Sequence, residues 1–88
     1  MSDEIKQTIE KVIRIIAAQR DLSLPPLTEH TEIVDELGFS SLTVATLIAS
    51  LEEELGVDPF RYEDVMITDI RTIGDLCRVY TSCIERAR

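Results

Sequence analysis

Apolar residues recur at helical spacing in three separate parts of the chain. In the first, Ile5, Ile9, Val12, Ile13 and Ile16 fall at steps of three and four, with Lys6, Glu10, Lys11 and Arg14 outside the stripe. That pattern predicts an amphipathic helix over about residues 3 to 19. In the second, Val44, Leu47, Ile48, Leu51 and Leu55 share one face and Gly56 stands where a helix would stop. The third runs Ile73, Leu76, Cys77, Tyr80, Cys83 and Ile84. It is opened by Thr72-x-x-Asp75, which has the form of a capping box, and is followed by Arg86 and Arg88, which suit the negative end of a helix dipole. Arg61 to Ile67 has room for one short helical turn or two. The expectation is an all-α chain, a small four-helix bundle of three long helices and one short one, without internal repeats.

The connection from about residue 20 to 40 is longer than the two to eight residues usual between bundle helices. It contains Pro25-Pro26 and Gly38, but also Leu22, Leu24, Leu27, Ile33, Val34, Leu37 and Phe39. Those apolar groups predict a loop that lies on the bundle rather than a free linker, and it delivers the chain to Ser40 and Ser41 in a fixed pose.

Eighty-eight residues make one small domain over 1–88, too small for an enzyme cleft of ordinary size. The N-terminal stretch lacks the order of a signal peptide, and no run of about 18 apolar residues is present to span a bilayer. A cytoplasmic location and a monomer are the expectation. Cys77 and Cys83 are six apart, a spacing that suits neither a disulfide on one helix nor a metal pair, so both read as inert thiols and no metal is expected.

Charge changes the picture more. The formal net charge is -8, yet residues 21 to 69 carry twelve acids against the single base Arg61. An acidic centre argues against nucleic acid and membrane insertion and favours protein partners with basic patches. Serine hydrolase chemistry lacks support, since His30 is the only histidine and there is no G-x-S-x-G elbow. His30 itself reads as a solvated or capping side chain.

The stretch LGFSSL, followed by an amphipathic helix ending in LEEELG, resembles the acyl and peptidyl carrier protein family. The family pattern is leucine, glycine, any residue, usually aspartate, then serine and leucine. The resemblance extends over nearly the whole chain in helix order, loop length and acidity. It implies that Ser41 receives 4'-phosphopantetheine from coenzyme A through a phosphopantetheinyl transferase. The arm would hold acyl or aminoacyl groups as thioesters and carry them between enzymes. The implied partners are that transferase, an acyl-loading ligase or acyltransferase, and synthases or transferases with basic or neutral docking patches. The chain would catalyse nothing.

The residues agree with a division of labour between the two serines. With Ser40 as N-cap, its hydroxyl is occupied by a first-turn N–H, and Ser41 becomes the first helical residue with a free hydroxyl at the positive end of the helix. Two departures from the family pattern stand out. Ser40 replaces the usual aspartate, which keeps the cap but removes a charge that helps engage the transferase. The outward positions Ser40, Thr43, Thr46 and Ala49-Ser50 are neutral, with acids resuming only at Glu52, Glu53 and Glu54. The expected docking residues are Phe39, Ser40, Leu42, Thr43, Thr46, Glu53 and Glu54. A neutral face implies specificity from shape and hydrogen bonds, and a dedicated carrier of a specialised fatty acid, polyketide or nonribosomal peptide pathway. Val44, Leu47, Ile48, Val65 and Met66 are the residues to line an acyl pocket, though the helix-borne ones are also needed as core. The alternatives are a degenerate, unmodified carrier-like bundle acting as an interaction or regulatory module, and an unrelated acidic adaptor that mimics a polyanion.

Overall fold

The computed structural model of the protein describes residues 2–61 and 70–86. Helix α1 spans Ser2–Gln19, α2 spans Ser41–Leu55 and α3 spans Ile73–Arg86, with a 3-10 turn at Pro59–Arg61 between the last two. Among the described residues there is no strand, only an isolated bridge between Glu32 and Thr72. The all-helical expectation is met by three helices. The short fourth helix expected within Arg61 to Ile67 lies outside the described residues, apart from the 3-10 turn that ends at Arg61.

The predicted stripes are the core. Ile5, Ile9, Val12, Ile13 and Ile16 of α1 are all buried, with Ile9 and Ile13 fully enclosed. Each such side chain contributes roughly 1.5–3 kcal/mol relative to leaving it in water. Helix α1 packs against both α2 and α3, which supply Leu47, Leu51, Ile73, Leu76 and Tyr80. Val44, Ile48 and Leu55 are only half-buried, so the inward face of α2 is narrower than its apolar pattern implies. Gly56 ends α2 in the left-handed region at φ 71°, where its N–H donates to the Glu52 carbonyl at 2.8 Å. Glycine carries no Cβ penalty in that conformation.

The loop between α1 and α2 lies down as expected. Leu22, Leu24 and Leu27 pack against the core, while Ile33, Leu37 and Phe39 are inside it. Val34 is the exception: it remains 55% exposed. Backbone pairing fixes the loop to the start of α3, with Ile33 N–H donating to Arg71 carbonyl, Ile73 N–H to Thr31 carbonyl and Gly74 N–H to Glu29 carbonyl at 2.9, 3.0 and 2.8 Å. Gly74 is needed for this approach, since a Cβ there would sit 2.8 Å from the Glu29 oxygen.

Candidate functional site

The site is built at the junction of that loop with α2. Residues 32 to 39 form a closed turn in which Glu36 N–H and Leu37 N–H donate to the Glu32 carbonyl, and Gly38 N–H to that of Val34 at 3.1 Å. Gly38 takes φ 74°, the left-handed conformation that reverses the chain. Phe39 follows, 1% exposed, and pins the turn to the core. Ser40 is then extended at φ -74°, ψ 169°, and its Oγ accepts the Thr43 N–H at 3.2 Å. Ser40 is the N-cap, as its residue type and place predict. Ser41 is the first residue of α2 and is exposed, beside Leu42, which is 72% exposed.

A phosphodiester on Ser41 Oγ requires an accessible hydroxyl, unsatisfied first-turn N–H groups and no competing anion. The hydroxyl is on the surface. Position alone leaves the Ser41 and Leu42 N–H groups without an acceptor inside the helix. No acid stands in the first turn of α2. The residues present therefore fit the group, with the helix start stabilising its negative charge.

Two expected docking residues have a different place. Thr43 is buried at 4% exposure, with its Oγ1 3.0 Å from Ser40 Oγ, so it belongs to the cap and not to an outward face. Phe39 is interior, 1% exposed and part of the core, and so does not face a partner. Ser40, Leu42, Glu53 and Glu54 are exposed and Thr46 is half-buried, its Oγ1 donating to the Leu42 carbonyl at 3.1 Å.

Of the residues expected around an acyl chain, Leu47 is fully buried and Val44 and Ile48 are half-buried; Val65 and Met66 lie outside the described residues. Beside Ile48 the chain places a polar group in its interior: Tyr80, fully buried, donates its hydroxyl to the Ile48 carbonyl at 3.4 Å. Burial, then the nearby Asp58 and Glu52 carboxylates, hold that phenol well above its ordinary pKa. Cys77 and Cys83 are not disulfide-bonded, and burial pushes the Cys77 thiol up and away from reactivity. His30 is solvated, with Nε2 3.4 Å from Glu29 Oε1. Among the described residues no cluster of His, Cys, Asp or Glu gathers to hold a metal, and no helix is long and apolar enough to cross a membrane.

The exposure of Val34 was missed by the sequence reading, which counted it with the loop's buried groups. A signal was present, since Ile33-Val34 is an adjacent apolar pair and in an extended or turning segment only one of the two can face inward.

Among the described residues the helical bundle presents an exposed serine, Ser41, as the first residue of α2. Residues 4–79 match the family described as "Phosphopantetheine attachment site", and the chain belongs to this family of carrier proteins, which bear 4'-phosphopantetheine covalently and carry acyl intermediates. The acyl carrier protein of Buchnera aphidicola subsp. Baizongia pistaciae is 33% identical over 75 residues, 84% of this chain and 96% of that one. That of Saccharopolyspora erythraea is 26% identical over 81 residues, 92% of this chain and 82% of that one. The solution structure of MacpD, an acyl carrier protein from Pseudomonas fluorescens involved in mupirocin biosynthesis, superposes with a TM-score of 0.79 at 35% identity, covering 90% of this chain and 69% of that one.

Proposed function

We propose that Ser41 is the attachment residue for 4'-phosphopantetheine and that residues 1–88 act as one carrier domain. The observation that carries this reading is the division between the serines: Ser40 Oγ is engaged by Thr43 N–H, and the adjacent Ser41 is exposed at the helix start. Ser41 Oγ gives up its proton and bonds to the pantetheine-bearing phosphorus of coenzyme A as the pyrophosphate P–O bond breaks and adenosine 3',5'-bisphosphate leaves, and the first turn of α2 stabilises the phosphodiester charge. The attached arm supplies a terminal thiol on which acyl or aminoacyl groups are held as thioesters. The chain's own contribution is presentation, and catalysis belongs to its partners: a phosphopantetheinyl transferase, a loading ligase or acyltransferase, and the synthases or transferases that use the cargo.

The pathway we infer is a specialised one. Two observations support it. The stretch Ser41 to Leu51 holds no charged residue, so this part of α2 offers no electrostatic steering to the basic patches of general-purpose enzymes. The likeness to MacpD, itself involved in mupirocin biosynthesis, points the same way. Half-buried Val44 and Ile48, with Leu47 behind them, are the described residues best placed to shelter a cargo chain.

The test is intact mass after incubation with coenzyme A and a broad-specificity phosphopantetheinyl transferase. The wild type and Ser40→Ala gain one phosphopantetheine and Ser41→Ala gains none. A folded wild type that stays unmodified with several transferases contradicts the proposal.

A further inference from the structure

We propose that the pose of Ser41 is set from the start of α3, with Asp75 as a positioning residue that acts through two peptide planes and the turn before α2. The inference rests on Ser41 as the attachment residue and adds what holds its hydroxyl in place.

The relay begins in the cap of α3. A single oxygen of Asp75, Oδ2, accepts both the Arg71 N–H at 3.0 Å and the Thr72 N–H at 3.1 Å. The Thr72 N–H and the Arg71 carbonyl belong to one peptide unit, and in a planar trans peptide they point in opposite directions. Holding the N–H therefore aims the carbonyl, and that carbonyl accepts Ile33 N–H at 2.9 Å. Ile33 N–H in turn shares its peptide unit with the Glu32 carbonyl, which accepts Glu36 N–H at 3.0 Å and Leu37 N–H at 3.1 Å. The carbonyl of Ile33 accepts Phe39 N–H at 3.3 Å, and Ser40 and Ser41 follow directly in the chain.

Direction is what these bonds add. Buried Leu37 and Phe39 anchor the turn by apolar contact, which has no preferred direction. The Ser40 cap ties the junction to α2 alone. Among the described residues, the backbone bonds that residues 28 to 39 make to another element all go to the start of α3, pairing Ile33 with Arg71, Thr31 with Ile73 and Glu29 with Gly74. The loop side of this seam is braced by Thr31, 3% exposed, whose Oγ1 accepts Thr28 N–H at 2.9 Å.

A hydroxyl held on such a frame meets the reacting phosphorus already oriented, and a misplacement of about 1 Å can cost about 10²-fold in rate. The surface a transferase binds is the same with or without the relay, so its loss is read in kcat rather than in KM. Two substitutions separate positioning from plain stability. Asp75→Asn keeps an oxygen for both N–H groups and loses the charge that pairs with Arg78, whereas Asp75→Ala loses both.

The experiment is steady-state transfer of phosphopantetheine from coenzyme A by a broad-specificity transferase, with thermal melts and amide exchange on the same samples. Asp75→Ala is expected to lower kcat about three- to tenfold with KM within about twofold of wild type. Exchange of the Ile33, Leu37 and Phe39 amides is expected to speed up at least about fivefold more than that of Ile13 in α1. Asp75→Asn melts lower but keeps kcat within about twofold, as does Val12→Ala, which opens a cavity under α1. Thr31→Val loosens the loop side, is expected to lower kcat about two- to fivefold, and carries the test should Asp75→Ala not fold. A wild-type kcat in Asp75→Ala, or an equal loss in Asp75→Asn or Val12→Ala, makes Asp75 merely structural and overturns the proposal while leaving Ser41 as the attachment site. A wild type that accepts no phosphopantetheine overturns the attachment reading, and this inference with it.

Discussion

At the start of α3 the Asp75 carboxylate accepts the N–H groups of Arg71 and Thr72 at 3.0 and 3.1 Å, and the Thr72 hydroxyl accepts Asp75 N–H at 3.1 Å. Arg78 pairs with the same carboxylate. At the start of α2 the Ser40 hydroxyl accepts Thr43 N–H, and no carboxylate is present in the first turn. Both helices begin beside the same long loop. One end is closed by an anion the chain carries itself, and the other is left with its positive end open. The contrast shows that the start of α2, unlike that of α3, has no carboxylate of its own at its positive end, which is where the proposed phosphodiester on Ser41 would place its charge.

The largest expected effect lies at the open end. Ser41→Ala removes the attachment oxygen, so modification falls to zero, while stability changes by no more than about 0.5 kcal/mol because an exposed first-turn residue contributes little; mass and melting on one sample check both. At the closed end, Gly74→Ala forces a Cβ against the Glu29 carbonyl and is expected to cost about 1–3 kcal/mol, read by denaturant unfolding. The Gly74→Ala carrier still gains its arm when folded, since the clash lies away from Ser41.

Loss of either cap is the next step down. Ser40→Ala should destabilise by about 1 kcal/mol and still accept the arm. Ser40→Asp sharpens the comparison: aspartate caps about as well as serine, so stability holds within about 0.5 kcal/mol. The added charge restores the family's usual residue, and transferase kcat/KM should rise.

The smallest effect is a pH dependence. Burial raises the Asp75 pKa, but the Arg71 and Thr72 N–H groups and the Arg78 charge together outweigh it, leaving the carboxyl below its ordinary value. A depressed folded-state pKa gives stability that is present above the unfolded carboxylate value and is lost as pH falls through the folded one. The melting-temperature gap between wild type and Asp75→Asn should therefore be widest near neutral pH and close in acid. A gap that stays constant across that range would remove the charge argument for the closed end.

Much of this was legible in the sequence, and for stated reasons. The stripes of α1 and α3 are strict enough that every α1 position in the pattern is buried, and Thr72-x-x-Asp75 forms its reciprocal bonds with aspartate in the place of the more usual glutamate. Ser40 takes the N-cap and Ser41 the first helical position, as their places at a helix start require. Thr43 was misassigned to the outer face because helical period alone puts it beside Leu42, whereas its hydroxyl and N–H are both drawn to Ser40 Oγ. Val34 faces solvent where the apolar pattern counts it inward, and Phe39, buried as that pattern implies, does not reach the outer face expected of a docking residue, since side-chain direction in a turn depends on backbone reversals at residues such as Gly38. The pairing of residues 29 to 33 with the start of α3 leaves no periodic trace, because it consists of backbone bonds between segments about 40 residues apart.

The most direct test of the central claim is the fragment mass spectrum of the peptide containing Ser40 and Ser41 from protein loaded with coenzyme A and a transferase. The account predicts phosphopantetheine on Ser41 alone, with Ser40 unmodified in every fragment. Phosphopantetheine on Ser40, or on any residue other than Ser41, would contradict it.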